Sequence, residues 1–174
     1  ALGLYDRDGD KLVRRQQAEL DLVGSGVNVS ELVGTRAADL LLVNDADLTF
    51  AKIRLDEQSI ATAISSVGDF EDSLARALVW GSAWDMTRDA ELSTGEYLQL
   101  VIGGLPHEGD VGVVQQLIRQ LRTAIELYAA DDNRLRYQNT LAQNLRTLMN
   151  VAAPASDHQL AFARGFVATA SDAA

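Results

Sequence analysis

The sequence predicts a mainly α-helical chain with an N-terminal β portion, namely a fragment of a β-sandwich followed by an antiparallel helical array. Up to about residue 55, apolar and polar residues alternate, which is the period of a strand with one solvent-facing side. From residue 56 onward, apolar residues recur every three or four positions, which is the period of an amphipathic helix. Short loops between successive helices favour antiparallel neighbours in a stacked array.

Residues 1–55 are predicted to supply about four strands. Residues 2–5 and 11–22 flank a turn-rich segment and indicate a hairpin, and residues 50–55 show the same alternation further along the chain. The continuous apolar run at residues 40–43 is typical of a more deeply buried strand. Because a free-standing sandwich usually needs about seven strands, we expect these to be the C-terminal strands of a sandwich domain whose earlier strands lie upstream.

Residues 56–174 are predicted to form the helical array. Apolar stripes run along residues 114–128 and 137–152, and Pro154 ends the second of these helices. Two further helix starts have the spacing of capping boxes. Gly103-Gly104 is expected to end the helix that contains residues 98–102. The predicted capping boxes pair Ser93 with Glu96 and Ser156 with Gln159.

The segment from residue 74 to residue 89 is unusual because its only charges up to residue 86 are those of Arg76 and Asp85, so we expect a central helix that is apolar and buried nearly all round. Four-residue spacing places Trp80 over Trp84, and Trp84 near Arg88, so aromatic and guanidinium contacts are possible. One interpretation is a ligand-binding face; the other is a buried core helix in which Gly81 permits a close crossing. Large aromatic side chains at helical spacing are more often core, so we favour the second. The structural core candidates are Trp80, Trp84, Arg76, Asp85, Arg88 and Asp89.

No catalytic, cofactor-binding or metal-binding residue is predicted in this chain. Its two histidines, His107 and His158, are far apart in sequence, and neither completes the H-E-x-x-H motif of a zinc peptidase helix. A solvated loop position is expected for His107, and a surface or capping position for His158. The acidic residues at 44–47 lie between two predicted strands, where turn chemistry accounts for them.

A calcium site near the N-terminus is also disfavoured. Asp6, Asp8 and Asp10 have the first spacings of a calcium-binding loop. Lysine and glutamine, however, occupy positions 11 and 17, where that loop requires glycine and glutamate. The segment is therefore interpreted as the turn of the hairpin.

The composition of the chain limits its possible cellular compartments and binding partners. With 15 basic and 25 acidic residues the net charge is −10, which repels phosphate backbones and argues against nucleic acid as a partner. The absence of cysteine leaves neither a disulfide framework nor a thiolate zinc site and favours the cytoplasm. No apolar run approaches the roughly 18 residues of a spanning helix, and the first residues lack the layout of a signal peptide. We therefore expect no membrane insertion.

Three strings along the chain resemble one family. They are residues 4–15 (LYDxDGxxLVRR), 42–56 (LVNDADLTFAKIRLD) and 75–89 (ARALVWGSAWDMTRD). In this order and spacing they resemble the C-terminal region of actinobacterial aminopeptidase N, a zinc metallo-aminopeptidase of the gluzincin family. The resemblance extends over essentially the whole chain.

The resemblance implies a parent with an N-terminal β domain, a thermolysin-like zinc domain, a small β-sandwich and a helical C-terminal cap of HEAT or armadillo type. Residues 1–55 would be the C-terminal strands of the sandwich, and residues 56–174 the N-terminal part of the cap. The implied partners are the catalytic and N-terminal domains of the same polypeptide and the peptide substrates of the parent. The implied cofactor of the parent is zinc.

The family's zinc motif, Gly-Ala-Met-Glu-Asn motif and transition-state tyrosine are absent from this chain, because in the family they lie upstream. We therefore expect no catalysis by these 174 residues alone, and a contribution to the cap that encloses the active-site cleft and restricts access to it. The alternative is a free-standing helical-array module that binds a peptide or protein. An upstream H-E-x-x-H in the reading frame would favour the first function, and a start codon just before Ala1 the second.

Overall fold

The computed structural model describes residues 1–170; residues 171–174, the end of the predicted helical segment, lie outside the described residues. The described chain is mainly α-helical with an N-terminal β portion, which confirms the predicted class. It divides into two compact units, Ala1–Asp85 and Met86–Ala174. The elements are β1 Leu2–Asp8, β2 Lys11–Ala18, β3 Leu40–Val43, α1 Glu57–Ser66, α2 Ser73–Arg88, α3 Thr94–Gly104, α4 Val111–Leu127, α5 Asp131–Val151 and α6 Asp157–Thr169.

The sheet of the N-terminal unit is antiparallel and has the order β2-β1-β3. Pairing of β1 with β2 continues to Asp8 opposite Lys11, so the predicted hairpin is confirmed but its loop has only two residues, Gly9 and Asp10. Gly9 has φ +64°. Glycine with positive φ at the first loop position is the pattern of a type II′ turn, whose twist matches that of the strands.

Two strand predictions are wrong. β2 ends at Ala18 rather than at residue 22, and residues 50–55 are not part of a described strand, so the sheet has three strands rather than about four. Ile53 and Leu55 are nevertheless 7% and 4% exposed. Alternation specifies which side chains enter a core, but strand pairing also requires a neighbouring backbone.

Helix α1 covers the outer edge of β3. The Leu41 N–H donates to the Ser59 hydroxyl (2.8 Å), and the Thr62 hydroxyl donates to the Asp39 carbonyl (2.6 Å). These side chains satisfy backbone groups that a further strand would otherwise pair with. Residues 56–66 were predicted from the sequence to belong to the helical half, but their contact with β3 was not predicted.

The helices of the C-terminal unit form a stacked set. Among the described residues, α3 contacts α4 and α5, α4 contacts α5 and α6, and α5 contacts α6, so each helix packs on those that follow it. The core is made of large side chains with almost no exposed surface. It includes Tyr97, Leu100, Leu117, Leu121, Leu141 and Leu145.

The predicted helix ends are mostly confirmed. Ser93 and Glu96 form a complete capping box at the start of α3. At the start of α6 the Ser156 hydroxyl accepts from the Gln159 N–H, but the Gln159 side chain accepts from the Ala155 N–H (2.8 Å). The second predicted box is therefore only half formed, because the side chain that should complete it satisfies the donor one residue earlier. Within residues 1–170, no helix has the length and apolar character needed to cross a bilayer.

Two glycines within helices provide a matched test of this packing. A Cβ at Gly165 would lie 3.0 Å from Ile118 Cγ2 and 3.2 Å from Leu145 Cδ1, whereas a Cβ at Gly81 would meet nothing within 4 Å. Gly81→Ala should raise the free energy of unfolding by about 0.5–1 kcal/mol, because glycine is a poor helix former. Gly165→Ala should lower it by on the order of 1 kcal/mol, because the methyl overpacks a filled core.

Urea unfolding of the two variants and the parent chain measures both changes. Equal stabilisation by the two substitutions would show that α6 does not approach α4 and α5 closely at Gly165.

Candidate functional site

The segment at residues 44–47 contains a fully buried carboxylate. Asp45 is 0% exposed. Its Oδ1 accepts from the Tyr5 hydroxyl (2.8 Å), and its Oδ2 accepts from Arg14 Nη1 (2.8 Å) and Gln17 Nε2 (3.5 Å). Two strands and the loop after a third therefore meet at one acid, whose oxygens are both occupied, as burial of a charge requires.

The backbone of this loop adopts an unusual conformation. Asn44, Ala46 and Asp47 have φ values of +59°, +73° and +53°. Asparagine and aspartate tolerate this left-handed region, but alanine is uncommon there and such residues cost on the order of 1–3 kcal/mol. The Asn44 side chain stabilises the loop, because its Nδ2 donates to the Thr49 carbonyl (2.7 Å) and its Oδ1 accepts from the Thr49 N–H (3.0 Å).

The Asp45 carboxylate lies directly against the backbone of β1. A Cβ at Gly3 would lie 2.4 Å from Asp45 Oδ2 and 2.7 Å from the Tyr5 ring. Only glycine permits this approach. An isolated glycine within a predicted strand often marks such a close contact, so Gly3 is the sequence signal from which this cluster was predictable in part.

Burial and the contact with Asp45 keep the Tyr5 hydroxyl and the Arg14 guanidinium protonated. Burial, followed by the hydrogen bond to Asp45 and the charge of Asp45, raises the pKa of the Tyr5 hydroxyl well above its usual value. The hydrogen bond to Asp45 raises the pKa of Arg14. The phenol therefore remains a proton donor and the guanidinium remains charged. The Asp45 side chain is 1% exposed, so the cluster presents no accessible base or nucleophile, and its arrangement serves to fix the loop.

The remaining acidic candidates are also held by protein partners. Asp6 is buried and is paired with Arg36 and with Arg15 Nε (2.7 Å), and its Oδ1 accepts from the Asp39 N–H (3.2 Å). Asp8 and Asp10 are exposed. The hairpin interpretation of this segment is supported by the pairing of β1 with β2, which continues to Asp8 opposite Lys11.

The two histidines occupy different environments. His107 is exposed at the end of the 3₁₀ turn Leu105–His107. His158 lies in the first turn of α6, with its Nε2 3.1 Å from the Glu108 carbonyl oxygen, and thereby connects the start of α6 to the loop before α4. Among residues 1–170, no group of three or more His, Cys, Asp or Glu side chains is arranged to hold a metal ion.

The tryptophan-bearing helix, α2, is two-sided. Val79, Trp80, Ala83 and Met86 are buried, whereas Leu74 is 41% exposed and Gly81 is exposed. The prediction that this helix is buried nearly all round is therefore wrong for the described chain. So is the suggestion that Gly81 allows a close crossing, because a Cβ there would meet nothing within 4 Å. An apolar composition does not by itself bury every face of a helix.

The predicted core candidates on α2 differ in exposure. Trp80 is 4% exposed, Trp84, Arg76 and Asp85 are half-buried, and Arg88 and Asp89 are exposed. Arg76 Nη1 donates to the Phe70 carbonyl (3.0 Å) and so joins the helix to the preceding turn. The proposed tryptophan contact and ion-pair network stay predictions.

Comparison with known proteins gives two matches. Residues 40–173 match the family model of the ERAP1-like C-terminal domain. The chain is 51% identical over 171 residues to aminopeptidase N of Streptomyces lividans, an alignment that covers 98% of this chain and 20% of that protein. The chain thus spans about a fifth of the length of this relative. The family match begins at Leu40, the first residue of β3.

The Asp45 cluster generates one test. Asp45→Asn removes the negative charge to which Arg14 and Tyr5 donate hydrogen bonds. The free energy of unfolding should therefore fall by about 1.5–3 kcal/mol, the contribution of hydrogen bonds to a charged group. Asp8→Asn neutralises an exposed carboxylate of the same sheet and should change it by less than about 0.5 kcal/mol. Chemical denaturation at neutral pH measures both. Equal effects would mean that the buried pairing does not stabilise the loop.

The difference in exposure between Trp80 and Trp84 on α2 generates a second test. Trp80→Ala should lower the free energy of unfolding by about 3–5 kcal/mol, as aromatic truncations in packed interiors do. Trp84→Ala should cost less, because part of that ring is already in contact with water. The measurement is the urea midpoint of each variant. A larger loss at Trp84 than at Trp80 would contradict the burial pattern.

Proposed function

Because the chain belongs to the ERAP1-like C-terminal domain family, we propose that it is a non-catalytic C-terminal segment of a zinc aminopeptidase N, an enzyme that releases N-terminal amino acids from peptides. The observation that carries this proposal is the extent of the match, which is 51% identity over 98% of the chain but only 20% of the relative. A near-complete match to part of a longer enzyme favours a segment of such an enzyme over a free-standing binding module.

Within this enzyme, we assign residues 1–55 to the C-terminal strands of the sandwich and residues 56–174 to the N-terminal part of the helical cap. The family match begins earlier, at residue 40, and the compact units divide later, between Asp85 and Met86. Helix α1 is bonded to the edge of β3 through Ser59 and Thr62, which accounts for its place in the same unit as the sheet.

The chemistry would be supplied by the domains that precede this segment. Zinc bound there would activate a water molecule and polarise the scissile carbonyl. The segment's own contribution would be to enclose the cleft, exclude water and limit entry to small peptides. Its net charge of −10 would help to draw the cationic N-terminus of a peptide toward the cleft. The catalytic and N-terminal domains of the same polypeptide are thus its proposed partners, and the cytoplasm its proposed location.

Deletion tests the enclosing role. In the polypeptide that contains this chain, removal of residues 57–174 and everything after them should reduce kcat/KM for a tetrapeptide. Small chromogenic aminoacyl anilides depend less on a closed cavity and should lose less. A difference of at least about tenfold between the two substrates corresponds to about 1.4 kcal/mol of transition-state stabilisation.

The two substrates control for each other in the same protein, and zinc content and folding are checked first. A folded, zinc-loaded truncation that handles both substrates like the intact enzyme would contradict the assigned role.

A further inference from the structure

A cavity of about 270 Å³ lies within the C-terminal unit, where the last two turns of α4 and the end of α6 meet the first two turns of α5. Pockets for drug-sized molecules begin at roughly 300 Å³, so this cavity is suited to a smaller ligand. Its lining combines charged side chains and an amide with the apolar side chains of Ile125 and Ala168. A ligand that fits this lining carries both charged and apolar parts.

Two oppositely charged side chains of α4 line this cavity without pairing with each other. Arg122 and Glu126 are four residues apart, the spacing at which side chains are neighbours on a helix surface. Among the described residues, however, neither side chain has a hydrogen-bond or ion-pair partner. Arg122 is half-buried and Glu126 is exposed. A cation and an anion are thus both available to a ligand that enters the cavity.

A third charged side chain of the lining, Arg134 of α5, has a donor without an acceptor. Its Nη2 is paired with Asp131 Oδ1 (2.9 Å) and donates to the Ala129 carbonyl oxygen at 3.4 Å. Its Nε is shielded from solvent and has no hydrogen-bond partner in the described part of the chain. A buried donor in this state is unfavourable. An oxyanion bound beside Arg134 would supply the acceptor.

The helix ends around the cavity give it two electrostatic sides. Glu126 and Thr169 belong to the last turns of α4 and α6, and the C-terminal end of a helix carries a partial negative charge that favours cations. Arg134 lies near the opposite, positive end of α5. Gln138 Nε2 donates to the Thr169 carbonyl (3.0 Å) and so holds the end of α6 against α5. The cavity therefore favours a ligand with an anionic and a cationic end.

We propose that this cavity binds a free α-amino acid in its zwitterionic form. The carboxylate accepts hydrogen bonds from Arg122 and from Arg134 Nε, and the ammonium group pairs with Glu126. An apolar side chain contacts Ile125 and Ala168. A simple anion would be repelled by Glu126, and a simple cation would be repelled by the two guanidinium groups. Amino acids are the class of product of the proposed activity, but the inference is drawn from the cavity alone and goes beyond that function.

Equilibrium dialysis of the full-length polypeptide with radiolabelled L-leucine tests this site. Because leucine is also able to enter a catalytic cleft, the measurement is the difference in bound leucine between the parent and each variant. Arg122→Gln and Glu126→Gln should each weaken binding at one site at least about tenfold, the effect of losing a hydrogen bond to a charged group. Arg119→Gln is the matched control, because Arg119 is exposed on the same helix and does not line the cavity.

Isocaproate, which is leucine without its amino group, separates the two charge contacts. Arg122→Gln should weaken the binding of both compounds. Glu126→Gln should weaken the binding of leucine and leave that of isocaproate unchanged or stronger, and Glu126 is exposed, so its substitution leaves the fold intact. A parallel loss of both compounds in Glu126→Gln would overturn the proposal, because the site would not then distinguish a zwitterion from an anion.

Equal leucine binding by the parent, Arg122→Gln and Glu126→Gln would also overturn it, and is the result expected if other parts of the polypeptide fill the cavity. Aminopeptidase activity is not the readout. An inactive polypeptide that shows the predicted differences would therefore reject the proposed function alone, and an active one that lacks them would reject this inference alone.

Discussion

The buried carboxylate of Asp45 sets the geometry of the N-terminal unit. A charge without solvent contact is tolerated only when every oxygen is paired, and here the partners come from β1 and β2 while the acid follows β3. Pairing at this one group therefore aligns three strands and the loop that leaves them. It also explains the glycine at position 3, since a side chain there would collide with the carboxylate, and it holds the left-handed backbone around Ala46 that would otherwise be unfavourable.

Local sequence signals predicted local structure well. The capping box of Ser93 and Glu96, the hairpin at Gly9 and the apolar stripes of α4 and α5 depend on residues close together in the chain. The burial of Asp45 was not predictable in this way, because its tyrosine partner lies 40 residues away. Strands at residues 19–22 and 50–55 were predicted because the alternation is present, but pairing depends on a second backbone that no pattern within the stretch specifies.

Several polar side chains of the described residues serve to hold the fold together. Asp6, Asp45 and Arg14 are engaged in pairs that shape the sheet and its loops. His158 connects α6 to the loop before α4. Polar side chains placed in this way stabilise a scaffold. The proposed function as a non-catalytic segment requires no other role of them.

The hydroxyls of Ser59 and Thr62, which bond to the backbone beside β3, have a mechanical consequence. The family match begins at the first residue of β3, so the C-terminal domain brings its own strand into the sheet, and its first helix is bonded to that strand. The connection between the sheet and α1 is therefore held by side-chain hydrogen bonds and is not a flexible linker. A force applied to α1 would be resisted by these bonds and by the backbone hydrogen bonds that pair β1 with β3.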